Sequence, residues 1–194
     1  ATALLDHAVW QSASQLPMGK VMQNTADVAR PHLILVDQTA QRFVNESTSY
    51  VAIGQAQYRR NEEVNAFPSW FVMDGSYMKK YRWGGITPNR RPTEEWVASG
   101  FMKRAASIED LARQCGMNAD ALRRTVDRFN GFARSGVDED FKRGHNNHNK
   151  FLGDPTVKPN PCLGAIETPP FYAIQCVQGD VGTSGGLLTD EHAR

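Results

Sequence analysis

Few residues of this 194-residue chain have types and spacings that could do chemistry. Cys115, Cys162 and Cys176 are odd in number and lack C-x-x-C spacing. They predict neither a zinc site nor a disulfide framework, and they point to a reducing, cytoplasmic setting. His145 and His148 stand three apart in a polar stretch, without acidic or thiol partners at matching spacing, so no metal is expected. No serine has a nucleophile-elbow context. The run Gly182-Thr183-Ser184-Gly185-Gly186 has no P-loop lysine and no G-x-G-x-x-G spacing. It either joins strands flexibly or lets backbone approach a planar ligand where side chains would intrude, and the residues leave both open. Tyr50 falls in the first turn of an expected helix, where free N–H groups and the helix dipole favour negative charge. Spacing alone favours a core aromatic at Tyr50 over an active phenol.

The elements that would hold these residues follow from pattern. The first thirty residues predict extended or irregular chain. Pro31 to Asp37 is a short apolar run rich in branched residues and predicts a buried strand. Gln38 to Ala40 predicts a turn, and Arg42 to Asn45 a second strand completing a hairpin. A helix is predicted from Ser47 to about Arg60, with Ser47 or Thr48 as N-cap. Ser69 to Asp74 predicts another strand, and Met78 to Pro92 a loop over a surface or cleft. A helical hairpin is predicted from Ser107 to Gly136, with Ser107 and Asn118 as caps. Leu122, Val126, Phe129 and Phe132 or Ala133 share one face of its second helix. Gly144 to Pro161 predicts a long loop. Pro170 to Val177 predicts a strand, 179 to 186 a glycine-rich turn, and Leu187 to Asp190 a further short strand. Strands and helices are segregated rather than alternating, which predicts an α+β class with short strands and no Rossmann βαβ unit.

Composition narrows the function. The formal net charge is +1, with 22 basic and 21 acidic residues. The basic pairs at 59–60, 79–80, 90–91 and 123–124 are dispersed, so no nucleic-acid surface is expected. No apolar run approaches the roughly 20 residues of a membrane span, and no signal-peptide pattern opens the chain. The start at Ala1-Thr2-Ala3 and the end at His192-Ala193-Arg194 predict a piece of a larger protein.

Several stretches, in order, resemble the flavin-dependent 3-ketosteroid dehydrogenases of the fumarate reductase and succinate dehydrogenase flavoprotein superfamily. Gln41 to Tyr50, following Val36-Asp37, is similar to their ERYxNES…Y stretch. Asn130 with Gly136 to Phe141 and Arg143-Gly144 is similar to FN…GVDExFxRG, Pro170 to Ala173 to PFYA, and Gly179 to Asp190 to DLGTxGGLxTD. The resemblance implies the capping, substrate-covering domain of an FAD-dependent oxidoreductase over residues 1–168, with 169–194 starting the return to the FAD domain. It implies Tyr50 as general base, backbone at Gly182, Thr183, Gly185 and Gly186 facing the flavin, and Phe43, Trp70 and Tyr172 lining the pocket. The implied partners are a small apolar ketone and the remaining FAD domain. A homodimer would be unsurprising if the piece exposes apolar surface. The amino-terminal GxGxxG unit and a YPGPG-like segment are not in this sequence, so this piece is not expected to retain FAD alone. Gly182 stands where dicarboxylate enzymes of the superfamily place the His of HTMGG, which favours an apolar ketone. The alternatives are a fumarate- or succinate-type or other enone flavoprotein, and a non-catalytic module for an apolar ligand.

Overall fold

The computed structural model describes residues 2–192, with side chains for all of these except 2–7, 18 and 183–185. In chain order its elements are strands β1 (Thr2–Gln15), β2 (Val21–Gln23) and β3 (Leu33–Val36), helix α1 (Tyr50–Glu63), strand β4 (Ser69–Met73) and helices α2 (Gly75–Lys80) and α3 (Thr93–Ala98). Strand β5 (Met102–Ala105), helices α4 (Ile108–Gln114), α5 (Ala119–Ser135) and α6 (Asn147–Leu152), and strand β6 (Phe171–Leu187) complete them. Helix and antiparallel sheet are mixed, as the α+β class predicts.

One six-stranded sheet organises the chain in the order β2-β1-β6-β4-β3, and β5 also pairs with β6. The first half of β6 runs between β4 (Ser69↔Cys176 to Met73↔Tyr172) and β5 (Met102↔Ile174 to Ala105↔Phe171). Its second half pairs with β1, from Ala13↔Val177 to Thr2↔Leu187, through two irregularities in register. Here the structure corrects the sequence. The glycine-rich stretch is not a turn followed by a new strand but the continuation of β6, because β1 supplies a pairing partner along its whole length. The strands are also not all short: β1 has 14 residues and β6 has 17.

The alternation of side chains across a strand divides the core in two. Ile34, Val36, Trp70, Val72, Phe171 and Ala173 point to one face, where Ile108, Leu111, Leu122, Val126 and Phe129 of α4 and α5 cover them. Leu33, Leu35, Phe71, Met73, Tyr172 and Ile174 point to the other, against Ile53, Tyr77, Trp83 and Trp96. The helical hairpin forms for local reasons. The Ser107 side chain accepts from Asp110 N and Asn118 from Ala121 N, and Gly136 ends α5 at φ +81° while its N–H bonds Phe132 O. That left-handed stop costs glycine little.

Four further expectations are corrected. Arg42 to Asn45 forms no strand; a single bridge between Val36 and Arg42 is all that remains of the hairpin. Asp37 is the reason: its carboxylate accepts from the N–H groups of Thr39 and Gln41 and from Arg60 Nε, winding the chain into a side-chain-held turn. Helix α1 is capped by Ser49, whose side chain accepts from Ala52 N, rather than by Ser47 or Thr48. The polar stretch before Cys162 contains α6, capped by Asn146, and the segment after Met73 begins as α2, capped by Asp74. Both helices are too short for their periodicity to register.

Candidate active site

Tyr50 opens α1 and keeps 39% of its surface exposed, while Ile53, Gly54 and Gln57 face inward. Two contacts set how α1 lies on the sheet. Gln57 Nε2 donates to Cys176 O at 3.2 Å. Gly54 lies so close that a Cβ there would sit 2.5 Å from Trp10 Cβ and 3.0 Å from Gln178 Nε2, so only glycine permits the approach. The helix therefore runs backwards along β6, with Gln57 opposite Cys176 and Gly54 opposite Gln178. Its first turn, with Tyr50, lies beyond Gly54 in that direction. At Gly182 and Gly186 nothing lies within 4 Å of where a Cβ would project. The ribbon there offers backbone free of side chains, the surface a planar group can approach.

Backbone at Thr183 and Gly185 belongs to the ladder, opposite Ala8 and Leu4; their side-chain positions lie outside the described residues. The expected aromatic lining does not converge on Tyr50. Trp70 is buried beneath α4 and α5, and Tyr172 is buried on the opposite face of the sheet, so one cavity cannot hold both. Residues two apart on a strand share a face, whereas Trp70 pairs with Gln175 and Tyr172 with Met73. Phe43 borders a groove with Ala56, Arg59, Arg60 and Glu63, over the second half of α1 rather than its first turn.

An open cleft of about 630 Å³ lies between the segment Leu16–Asp27 and the loop Arg82–Ile86, with Val21, Met22 and Ile86 in its wall. The loop expected between Met78 and Pro92 thus borders a cleft over part of its length. Gly84 closes against it: its N–H donates to Asp27 Oδ2 at 2.7 Å, and at φ +55° it lies where any side chain would strike Met22. Burial raises the Asp27 carboxyl above its ordinary pKa, against the opposing pull of the Gly84 and Gly85 amides.

Sequence reasoning missed the junction that carries α1. Arg143, fully buried, donates to Leu33 O (2.8 Å), Arg30 O (2.8 Å), Ala29 O (3.3 Å), Glu46 Oε2 (3.1 Å) and Ser47 Oγ (3.1 Å). Glu46 Oε1 accepts from Leu35 N at 3.1 Å, and Arg42 bridges Glu46 and Asp138 at 2.8 and 2.9 Å. β3 is the outer strand of the sheet, and its exposed edge would need another strand. Glu46 and Arg143 satisfy Leu35 N–H and Leu33 C=O in its place. Arg42 is also held between the rings of Phe129 and Phe141, 5.0 and 5.1 Å from their centroids. Burial opposes the charge on Glu46, but Arg42 and Arg143 outweigh it and hold the carboxyl below the usual range. Asp138 is likewise kept low against its burial by Arg42. Burial lowers Arg143, yet a guanidinium starts so high that it stays charged. Arg42, Glu46, Asp138 and Arg143 all fall in the stretches that resemble the ketosteroid enzymes. The separation of 96 residues from Arg42 to Asp138 hides their pairing from any local reading.

Known proteins place this arrangement. Residues 1–194 match the family described as FAD binding domain. The chain is 39% identical over its whole length to a 3-oxosteroid 1-dehydrogenase of Mycolicibacterium smegmatis, of which it covers 35%. It is 38% identical over 84% of its length to a 4-oxocyclohexanecarboxylate 2-dehydrogenase of Sinomonas cyclohexanicum, covering 28% of that protein. Among solved structures, a 3-ketosteroid delta1-dehydrogenase from Sterolibacterium denitrificans in complex with 1,4-androstadiene-3,17-dione superposes with a TM-score of 0.93 at 35% identity, over all of this chain and 35% of that one. A flavocytochrome c3 fumarate reductase shares the fold at a TM-score of 0.64 and 19% identity, over 96% of this chain and 29% of that one. The chain thus spans about a third of the length of these relatives. Matched from end to end, it belongs to the FAD binding domain family of flavoproteins, alongside the 3-ketosteroid dehydrogenases.

Proposed function

We propose that this chain is the substrate-covering part of an FAD-dependent dehydrogenase that desaturates a ring ketone, with residues 1–168 forming the cover and 169–194 leading back to the FAD-binding portion. The observation that carries the reading is Tyr50: a partly exposed residue that opens helix α1, inside the stretch most like the ketosteroid enzymes. A ketone acidifies the C–H beside it. Tyr50 takes that proton, and its hydroxyl can reach a bound ligand because the helix start leaves it uncovered. Backbone at Gly182, Thr183, Gly185 and Gly186 faces the flavin, which suits a group that needs flat contact without side chains. When bound, FAD supplies the acceptor for the hydride from the adjacent carbon.

The substrate follows from what the relatives share. Their names join 3-oxosteroids with 4-oxocyclohexanecarboxylate, and the common unit is a six-membered ring ketone. Gly182 in place of a histidine argues against a dicarboxylate, because a dianion needs donors where glycine supplies no side chain. In the whole flavin-loaded protein, Tyr50→Phe should cut turnover of 4-androstene-3,17-dione by at least 10²-fold, the usual contribution of a positioned base, with FAD still bound by its absorbance. Turnover within threefold of the parent would remove Tyr50 from the mechanism.

A further inference from the structure

We infer that Arg143, acting through Ser47, is a positioning residue for Tyr50; this rests on the reading of Tyr50 as the base. Ser47 lies three residues before Tyr50, in the turn that enters α1, and each of its polar groups is tied down. Its N–H donates to Asn45 Oδ1 at 2.8 Å, and its carbonyl accepts from Asn149 Nδ2 at 2.7 Å. Its hydroxyl accepts from Arg143 Nε at 3.1 Å and donates to Ala29 O at 3.2 Å. Asn149, in turn, spans Asn45 and the Gly144 N–H through its Oδ1. The chain entering α1 is therefore fastened to three separated segments, around residues 29, 143 and 149.

On the far side, Gly54 wedges the helix against Trp10, and Gln57 ties it to Cys176 O. Tyr50 stands between these two anchors while remaining exposed itself. A side chain that must meet a C–H bond at reacting distance loses rate steeply when displaced by about 1 Å. Tyr50 is only partly covered, so its position is inherited from Ser47 and Gly54. The guanidinium suits this task because its donors are fixed in one plane and its charge persists at every working pH. Leu33 O, Ala29 O, Arg30 O, Glu46 and Ser47 all lie within reach of that one group.

The test uses the whole flavin-loaded protein and three variants, Arg143→Lys, Ser47→Ala and Tyr50→Phe, with 4-androstene-3,17-dione as probe. Per mole of bound flavin, Arg143→Lys and Ser47→Ala should each lower kcat at least tenfold and leave KM within about threefold. Hydrogen–deuterium exchange should speed up selectively in peptides covering 47–54 of both variants, while α5 keeps its protection. Should Arg143→Lys fail to fold, Ser47→Ala decides, since it deletes one hydroxyl and leaves the ion pairs in place. Parent-like kcat in Ser47→Ala with unchanged exchange at 47–54 would overturn the inference. So would uniform loss of protection across the domain with unaltered kcat per flavin, which is the signature of a merely structural role. If Tyr50→Phe turns over normally, the reading of the base fails instead, and the exchange data still report whether Ser47 and Arg143 hold the helix start.

Discussion

The junction at Glu46 and Arg143 and the ribbon made by β1 with the second half of β6 sit at opposite extremes of one molecule. At the junction two arginines and two carboxylates lie out of water, every charge is paired, and backbone from three segments fills the remaining donors and acceptors. Along the ribbon Val181 and Leu187 remain more than half exposed, and Gly182 and Gly186 leave open space. Buried charge tolerates almost no displacement, because an ion separated from its partner at low dielectric is costly. Backbone without side chains tolerates close approach by another group. The rigid support fixes the chain entering α1, and α1 in turn packs through Gly54 on the start of the ribbon.

The comparison breaks most decisively at Glu46. Glu46→Ala should cost about 3–5 kcal/mol, because it leaves the buried Arg143 without a carboxylate, takes one of two from Arg42 and strands the Leu35 N–H. Thermal unfolding of the whole protein, or loss of exchange protection across β3, measures it. A shift within the scatter of surface variants would show the junction to be dispensable.

Acid titration sharpens the same point. Glu46 and Asp138 are held below their ordinary values in the folded protein. Their contribution is therefore complete above the unfolded carboxylate range near 4, and is lost as pH falls through the lower folded values. Stability of the parent should fall steeply below about pH 4, and Glu46→Gln should start lower but decline less steeply. Parallel acid limbs in the two proteins would refute this.

On the ribbon side, Gly54→Ala should cost about 1–3 kcal/mol by overpacking against Trp10. Its exchange signature should be confined to α1 and residues 8–13, and the junction should keep its protection. The next expected effect is at the helical hairpin, where Asn118→Ala removes the cap on Ala121 N and should cost about 1 kcal/mol. The smallest is at Glu94, whose pair with Arg104 lies in solvent. Glu94→Ala should leave the melting temperature unchanged, since exposed pairs are screened and entropically offset.

How much was legible depended on distance along the chain. The α4–α5 hairpin could be read because caps, apolar spacing and the terminal glycine all lie within a few residues of what they control. β3 and β4 could be read from short buried runs of branched and aromatic residues. The hairpin expected at 42–45 failed because strand propensity there lost to the Asp37 turn and to the pull of Glu46 and Arg42 on residues near 140. The glycine-rich turn at 179–186 failed because glycine signals a turn only where no partner strand is at hand, and β1, nearly the whole chain away, is that partner. The aromatic lining failed at Trp70 and Tyr172 because composition cannot say which face of a sheet a side chain takes until the register is known.

By itself the sequence determined the class of fold, the helical hairpin, the family resemblance and Tyr50 as the residue to watch, since each rests on local pattern or on motifs in order. The tertiary structure alone decided that Arg143 and Glu46 complete the edge of β3, that the glycines continue a strand, and that Ser47 and Gly54, on either side of Tyr50 in sequence, are both fastened. The physical reason is that a charge pair, a strand ladder and a helix packed on glycine are all contacts between distant segments. Their energies exist only once the chain has brought those segments together.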